Sequence, residues 1–425
     1  MAKAIITNRI FLDNDFEVRQ KLLQELTYKI PNYRPELPPK VITNLRIVNE
    51  KLLAIPSGRV DLIPAHYEVE DRRNTVPVDF PEFKFTLRES QKLVYDQVNS
   101  DCFINAWTSW GKTFTGLAIA GKLGQKTLII VHTLTLRDQW AKEVEKVYGF
   151  TPSIIGSGNF DTSKPITIAN IQTLTRRNKS LYNKEFGTVI VDECHHIPAV
   201  SFSKVLDSID ARYKIGLSAS NTRKDGLHIL FPDFFSIKKF SPPKENFMKP
   251  SIHRVKLPFR VADGIQTWAQ KINDLAYNPD YQKILALTAA SYASKGHKVL
   301  VVGSRTKLLE RASELTPNSV CVVGSTKDRA EKIQKVLDNK AKVLYGSTNI
   351  FSEGISVNNL SCLVLGTPMN NEPLLEQLIG RVIRKAEDKL DPVVVDLLLD
   401  GKTVRKQEQL RKGYYIKQGY KIKDL

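Results

Sequence analysis

FINAWTSWGKTFTGLAIAGKL, residues 103–123, reads as a short strand, a loop and a helix. FINA is apolar and strand-sized, and TFTGLAIAGKL is helical. Between them, Gly111-Lys112-Thr113 matches the end of the phosphate-loop pattern G-x-x-x-x-G-K-[ST], with Ala106 at the place of the first glycine. Strand, loop, helix is the context that such a loop needs. The loop N–H groups and the positive helix N-terminus then face an anion. Ala106, Trp107, Thr108, Ser109, Trp110, Gly111, Lys112 and Thr113 are therefore the expected nucleotide contacts. Lys112 would reach the β and γ phosphates, and Thr113 would ligate Mg²⁺. Taken alone, the stretch is also open to a chance G-K-T at a helix start.

A second stretch weighs against chance. FGTVIVDECHH, residues 186–196, is an apolar strand ending in Asp192-Glu193. Carboxylates at the C-terminal end of a strand sit at the crevice where ligands bind in open α/β sheets. Asp192 can hold the Mg²⁺ shell, and Glu193 can orient and deprotonate an attacking water. Two surface acids closing a strand would be an ordinary finding without a phosphate loop upstream.

The rest of the chain extends the pattern. Strand-like runs alternate with amphipathic helical stretches: FINAW, TLIIVHT, ITIAN, TVIVDE and YKIGLSA, then KVLVVGS, VCVVG, KVLYGS, CLVLGTP and VVVDLL. This alternation predicts two parallel α/β sheets covered by helices. Residues 236–259, rich in Pro and Lys, separate the two sets. The organisation expected is a small N-terminal α+β domain over 1–78, a first α/β domain over 79–240, a linker over 241–254, a second α/β domain over 255–400 and a basic, aromatic tail over 401–425.

Composition narrows the partners. The 425 residues are 42% apolar and 25% charged, enough for sizeable cores. Lys and Arg total 63 against 45 Asp and Glu, a formal charge of +18. That excess favours a polyanion such as nucleic acid, although a merely soluble basic protein would share it. Cys102, Cys194, Cys321 and Cys362 are far apart and form no C-x-x-C pair, which argues against a zinc site or a disulfide framework. The apolar runs are strand-sized, so neither a secretion signal nor a membrane span is expected. A cytoplasmic location is the expectation, that of a host cell if the chain has a viral origin.

Asp192-Glu193-Cys194-His195 resembles the D-E-x-H box of superfamily 2 helicases and translocases, and further motifs follow in that family's order over roughly residues 80–400. LRESQ, residues 87–91, resembles the adenine-recognising segment, which implies roles for Arg88 and Gln91. HTLTLRDQW (132–140) and ANIQTL (169–174) resemble motifs Ia and Ib, which implies nucleic-acid contacts by Thr133, Gln172 and Thr173. Ser218-Ala219-Ser220 resembles the motif that couples ATP state to strand binding, and the motif position of His195 implies that it couples Glu193 to the second domain. Arg223-Lys224-Asp225-Gly226 follows, as in the DNA-directed branch.

In the second half, VLVVGSRTKLLERASEL resembles motif IV, with Arg305 as a DNA contact. GSTNIFSEGISVNNL (346–360) resembles motif V, with Thr348 on the DNA backbone and Glu353-Gly354 at the interdomain cleft. QLIGRVIR (377–384) resembles motif VI. Gln377, Arg381 and Arg384 are spaced for one helix face, and two arginines aimed at a γ-phosphate would be arginine fingers. Three departures stand out: Ser109 for the usual Gly, Ser220-Asn221 for Thr-Pro, and Ser356 for Asp. Ser109 bears on the ATPase rate, since glycine geometry in the loop cannot be assumed.

Within the superfamily, the chain is most similar to phage UvsW-type branch-migration helicases and the related XPB-type group. The resemblance implies two RecA-like domains, the cofactors ATP and Mg²⁺, and a monomer. It also implies 3′-to-5′ movement on DNA, single-stranded and branched, with RNA the lesser alternative. A translocase that remodels protein–DNA complexes without unwinding is the nearest rival. A non-hydrolysing ATP- and nucleic-acid-binding scaffold is a rival from another class.

Other features have two readings. Tyr414, Tyr415 and Tyr420, interleaved with basic residues, suit base stacking or a packed terminal element. Trp107 and Trp110 are expected to pack the loop, and His196 to be structural. Arg9, Arg46, Arg59, Arg72 and Arg73, among other basic residues of 1–78, suggest a module that docks on duplex; a folding cap is the alternative. If the +18 charge is a nucleic-acid footprint, DNA affinity should fall steeply with salt. Each neutralised phosphate adds roughly −0.9 to the log–log slope on duplex and −0.7 on single strands. A salt titration of binding with a flat response would overturn that reading.

Overall fold

The computed structural model describes every residue except 1, 33–35, 109, 157, 198, 221–224, 244, 246, 265, 353–356, 358 and 387–388; the side chains of 199, 200, 202, 349 and 352 are also left out. Ser109, Glu353 and Gly354, with Asn221, Arg223, Lys224 and Ser356, lie outside the described residues. The chain forms two compact units, residues 1–243 and 244–425.

In the first unit, the described residues form an eight-stranded sheet. Its order is Asn159–Phe160, Ser153–Gly156, Ile166–Asn170, Thr127–Val131, Thr188–Val191, Tyr213–Ser218, Cys102–Asn105, Lys239–Phe240. Neighbours are parallel apart from the first pair, a hairpin. The central strands are buried on both faces, which explains their continuous apolar runs. Register pairs Val191 with Gly216 and Ser218 with Asn105, so the C-terminal ends of three adjacent strands meet at one edge.

In the second unit, the order is Ser319–Val322, Val343–Ser347, Val299–Gly303, Cys362–Leu365, Val393–Asp400, Ser251–Arg260, Lys421–Asp424, all parallel. Each of the apolar runs quoted above overlaps a strand. The strand Ser251–Arg260 runs across the expected end of the linker at 254. The tail is a helix, Lys402–Lys417, followed by the edge strand Lys421–Asp424. Arg411 on this helix grips buried Asp396 through Nε and Nη2, and the Tyr415 hydroxyl donates to the same carboxylate at 3.1 Å. Tyr414 and Tyr415 are buried, so the packed reading of the tail replaces base stacking for them.

Residues 1–78 include a five-stranded sheet ordered Arg46–Asn49, Leu52–Pro56, Arg9–Asp13, Lys3–Ile6, Glu68–Asp71. The helix Phe16–Glu25, capped by Asp15, packs Leu22 against Ile10, Leu12 and Leu53. The hairpin Thr27–Ile30 and Lys40–Thr43 completes this module.

The module is fastened to the first α/β sheet by buried polar groups. Arg9 donates to Asp207 at 2.8 Å, and Arg46 reaches the same oxygen at 2.6 Å. Tyr28 and Asn44 each donate to Asp233 at 2.7 Å, with Arg59 at 3.5 Å. Lys214 Nζ, fully enclosed, donates to Ser57 Oγ at 3.0 Å. At Gly58 a Cβ would stand 2.3 Å from the Pro232 carbonyl oxygen, so only glycine permits this approach.

These pairings engage the named arginines within the first unit, although the Arg46 and Arg72 side chains stay more than half exposed. Arg9, Arg46 and Arg59 face internal acids, Arg73 binds Asp71 and Asp101, and Arg72 binds Glu70. Removing one partner of a buried ion pair strands the other in low dielectric, at a cost of about 3–5 kcal/mol. Asp233→Ala should therefore lower the unfolding free energy by that order, read from denaturant melts. Deleting 1–78 should lower the melting temperature for the same reason, because it leaves Asp207, Asp233 and Lys214 without these partners.

Candidate nucleotide site

Gly111 caps the helix Lys112–Leu123 with φ +91°, a left-handed conformation that glycine adopts without strain. A Cβ there would also stand 2.6 Å from Gln91 Nε2. The loop is clamped from behind. Gln91 donates its amide to the Trp110 carbonyl at 2.8 Å and accepts the Arg88 N–H at 2.9 Å; Arg88 Nη2 donates to the same Trp110 carbonyl. The Trp110 indole, fully buried, donates to Ser90 Oγ at 2.8 Å. Gln91 and Arg88, expected as adenine contacts, thus hold the phosphate loop in this structure. Trp107 and Trp110 are buried, as expected of loop packing.

Ala106 links the loop to the neighbouring strand, its N–H donating to the Ser218 carbonyl at 3.0 Å. Its own carbonyl accepts Lys112 Nζ at 3.1 Å. Lys112 also lies 3.4 Å from Glu193 Oε1. Glu193 has φ +45°, a strained value for a residue with a side chain. That turn separates the two acids. Asp192 is met by the Trp140 indole N–H at 2.7 Å and the Glu193 N–H at 2.9 Å.

Burial, then the charge of Glu193, raises the Asp192 carboxyl above the usual range. Burial would raise Glu193, but Lys112, the neighbouring His195 and His196 and the Ala219 N–H together outweigh it and hold that carboxyl low. Both acids sit in a space that favours one negative charge over two.

Glu193 Oε2 lies 3.3 Å from His195 Nδ1 and accepts the Ala219 N–H at 3.4 Å. Burial pushes His195 down to about 3, so its ring is neutral near pH 7. Ser218 Oγ donates to the Ser220 carbonyl at 2.8 Å and lies 2.7 Å from His195 Nδ1. With the hydroxyl proton engaged, Nδ1 carries the imidazole proton and donates it. His195, Ser218, Ala219 and Ser220 therefore form one connected group around Glu193.

The residues fit a nucleotide with a divalent cation. Asp192 and the half-buried hydroxyl of Thr113 supply hard oxygen donors, the type that Mg²⁺ takes. Thr108 Oγ1 and Asn105 Oδ1 are buried polar atoms without a partner among the described residues, beside the loop where phosphate donors and acceptors would meet them.

The same sheet edge carries the expected DNA contacts of this unit. Thr133 caps the helix Leu134–Tyr148, its hydroxyl accepting the Leu136 N–H at 3.3 Å. Gln172, exposed, and Thr173, half-buried, lie on the helix Ile171–Arg176. The preceding strands pair Asn170 with Val131.

In the second unit, Gln377 and Arg381 are buried on the helix Glu372–Val382. Arg381 Nε donates to the Phe351 carbonyl at 3.0 Å, tying this helix to the one at Thr348–Ser352. Thr348 itself is buried. Arg384 is a correction: the helix ends at Val382, and Arg384 bridges to Phe247 instead of continuing the helix face. Arg305 donates to Asn273 Oδ1 and the carbonyls of Ala269 and Ser304, so much of its guanidinium is engaged within the unit. Sequence reading missed Trp140 as a partner of Asp192; its place at the end of HTLTLRDQW gave no sign of which carboxylate it would meet.

Two family descriptions match the chain: "Type III restriction enzyme, res subunit" over residues 83–223, and "Helicase conserved C-terminal domain" over 281–386. A protein named "Probable helicase" from Escherichia phage T5 is 41% identical over 99% of this chain and 95% of its own length. The ATP-dependent DNA helicase uvsW of Enterobacteria phage T4 is 25% identical over 77% of this chain and 70% of its own. A fragment of an HsdR subunit of a type I restriction enzyme from Vibrio vulnificus has a similar fold. It shows a TM-score of 0.59 and 16% identity over 81% of this chain and 69% of that one.

The chain belongs to the superfamily 2 helicases, with two RecA-like domains. As a member it is a nucleotide-binding enzyme of the helicase/ATPase type. No described helix is long and apolar enough to cross a membrane.

Lys112→Ala removes the ammonium and leaves the Thr133 and Gln172 region untouched. It should abolish ATP hydrolysis and largely spare DNA binding, checked by phosphate release and filter binding. Glu193→Gln should retain ATP yet not turn over, because an amide cannot take a proton from water. Wild-type turnover by that variant would reassign the base.

Proposed function

We propose that the chain is an ATP-dependent DNA helicase that moves 3′ to 5′ and unwinds or branch-migrates forked and four-way DNA. The observation that carries this reading is a single sheet edge. Lys112, Glu193, His195 and Ser218 are linked there by contacts of 2.7–3.4 Å, beside the helix caps of the expected DNA motifs. A motor needs that adjacency, since hydrolysis must be felt where strand is held. DNA as substrate draws further support from the relative named as a DNA helicase.

Chemistry follows from the resting contacts. Lys112 neutralises Glu193 before nucleotide arrives. A phosphate in the loop competes for the Lys112 ammonium, and Glu193 Oε1 then faces water, able to accept its proton, while Oε2 keeps His195 and the Ala219 N–H. Ser218 and Ala219 hold Glu193 and His195 in register with the strand Tyr213–Ser218, so a shift in that strand changes the base. Mg²⁺, held by Thr113 and Asp192, would offset phosphate charge. Arg381 and Arg384, in the second unit, are the arginines proposed to stabilise charge on the γ-phosphate.

The deciding experiment measures ATPase and strand separation on single-stranded, duplex, forked and four-way DNA, with RNA controls. DNA-stimulated ATPase with product strands from forks supports the reading. Stimulation without strand separation would favour a translocase, and no hydrolysis would overturn the motor altogether.

Arg381→Ala and Arg384→Ala should each reduce kcat strongly with less effect on ATP affinity, since such fingers supply ~10³–10⁵ in rate. Loss of affinity at unchanged kcat would make them ground-state ligands.

A further inference from the structure

The helix Leu134–Tyr148 carries Trp140 in its middle, fully buried. The indole N–H donates to Asp192 Oδ2 at 2.7 Å, while Oδ1 accepts the Glu193 N–H at 2.9 Å. The carboxylate is thus held at both oxygens, one by its own chain and one by a side chain from another element. A buried indole N–H without an acceptor would be costly, so the contact suits both groups. The ring fits because Gly116, on the helix after the phosphate loop, has no side chain. A Cβ there would stand 3.2 Å from Trp140 Cη2. One indole therefore touches the helix of Lys112, binds Asp192, and belongs to the helix capped by Thr133.

We infer that Trp140 is a positioning residue for the metal site: its N–H fixes the plane of Asp192 and ties that plane to the position of the helix Leu134–Tyr148. This rests on the reading of Asp192 as a Mg²⁺ ligand. Partners behind a ligating carboxylate orient it, and losing one typically costs ~10–100-fold in metal affinity or activity. Because Thr133 begins the same helix, a strand held at that cap acts on Asp192 through a rigid, packed ring.

Trp140→Phe keeps an aromatic ring and removes the donor. The test uses the full chain with Glu193→Gln, so that bound nucleotide persists, and a fluorescent ATP analogue as probe. Affinity is measured in EDTA and across a Mg²⁺ titration, with melting temperature as a folding control. The expected result is EDTA affinity within about twofold of the parent and a Mg²⁺ half-saturation raised ~10–100-fold. Trp140→His, which retains a ring N–H, should recover part of the loss. An unshifted Mg²⁺ requirement, or an equal loss in EDTA, overturns the inference.

A parent with no Mg²⁺ response overturns the reading of Asp192 as a Mg²⁺ ligand as well, whereas a responsive parent beside an unshifted Trp140→Phe overturns this inference alone. If Trp140→Phe does not fold, ¹⁹F spectra of the 5-fluorotryptophan-labelled parent decide. The Trp140 signal, assigned by elimination with Phe variants of Trp107, Trp110 and Trp268, should move when Mg²⁺ joins the bound nucleotide. A stationary signal overturns the proposal.

Discussion

Two carboxylates adjacent in sequence, at the end of a buried strand, repel each other and lose hydration together. The strand Thr188–Val191 delivers Asp192 and Glu193 into that position, and the surrounding contacts separate them. Glu193 takes a left-handed backbone conformation, φ +45°, which costs on the order of 1–3 kcal/mol and turns its side chain to Lys112 and His195. Asp192 keeps the Trp140 indole and a backbone N–H. One acid is thereby suited to proton transfer and the other to a cation. The strand order makes the division possible: Tyr213–Ser218 lies between the strand of the acids and the strand of the phosphate loop. Ser218 can then bond to His195 on one side while its carbonyl accepts the Ala106 N–H on the other.

The first unit depends in a second way on charges kept out of water. Asp207, Asp233 and Lys214 belong to the α/β sheet and its connections, yet much of their pairing comes from residues 1–78. An apolar contact would have left the two parts separable at modest cost. Buried ions that need named partners do not, because each orphan pays desolvation without Coulombic return. The arginines of the N-terminal module are therefore largely instruments of its attachment. Exposed Lys21, Lys29, Lys40 and Lys51, with the more than half-exposed side chains of Arg46 and Arg72, are among what it still offers to a polyanion.

In the second unit, the helix Glu372–Val382 and the tail helix serve different ends. Arg381 is tied to the Phe351 carbonyl, joining two segments that the family motifs place far apart in sequence. Arg411 and Tyr415 satisfy Asp396, a buried acid in the central strand Val393–Asp400. The tail thus completes the sheet rather than trailing from it.

The sequence by itself determined the two parallel sheets, because strands buried on both faces must be continuous apolar runs. It also determined that Gly111-Lys112-Thr113 lies between a strand and a helix and that Asp192-Glu193 follows a strand's end, because these contexts are local. Tertiary structure alone decided which partners these groups meet. Gln91 lies against Trp110 because their segments pack, and Trp140 finds Asp192 across 52 residues. The helix carrying Arg381 stops before Arg384 because the Ile383 carbonyl accepts the Met248 N–H and residue 384 bridges to Phe247. Helical spacing could not reveal that stop. The N-terminal arginines looked free because the acids that bind Arg9 and Arg59 include residues some 170–200 positions away. Periodicity records which face of an element is buried; it holds no record of which distant charge will lie opposite.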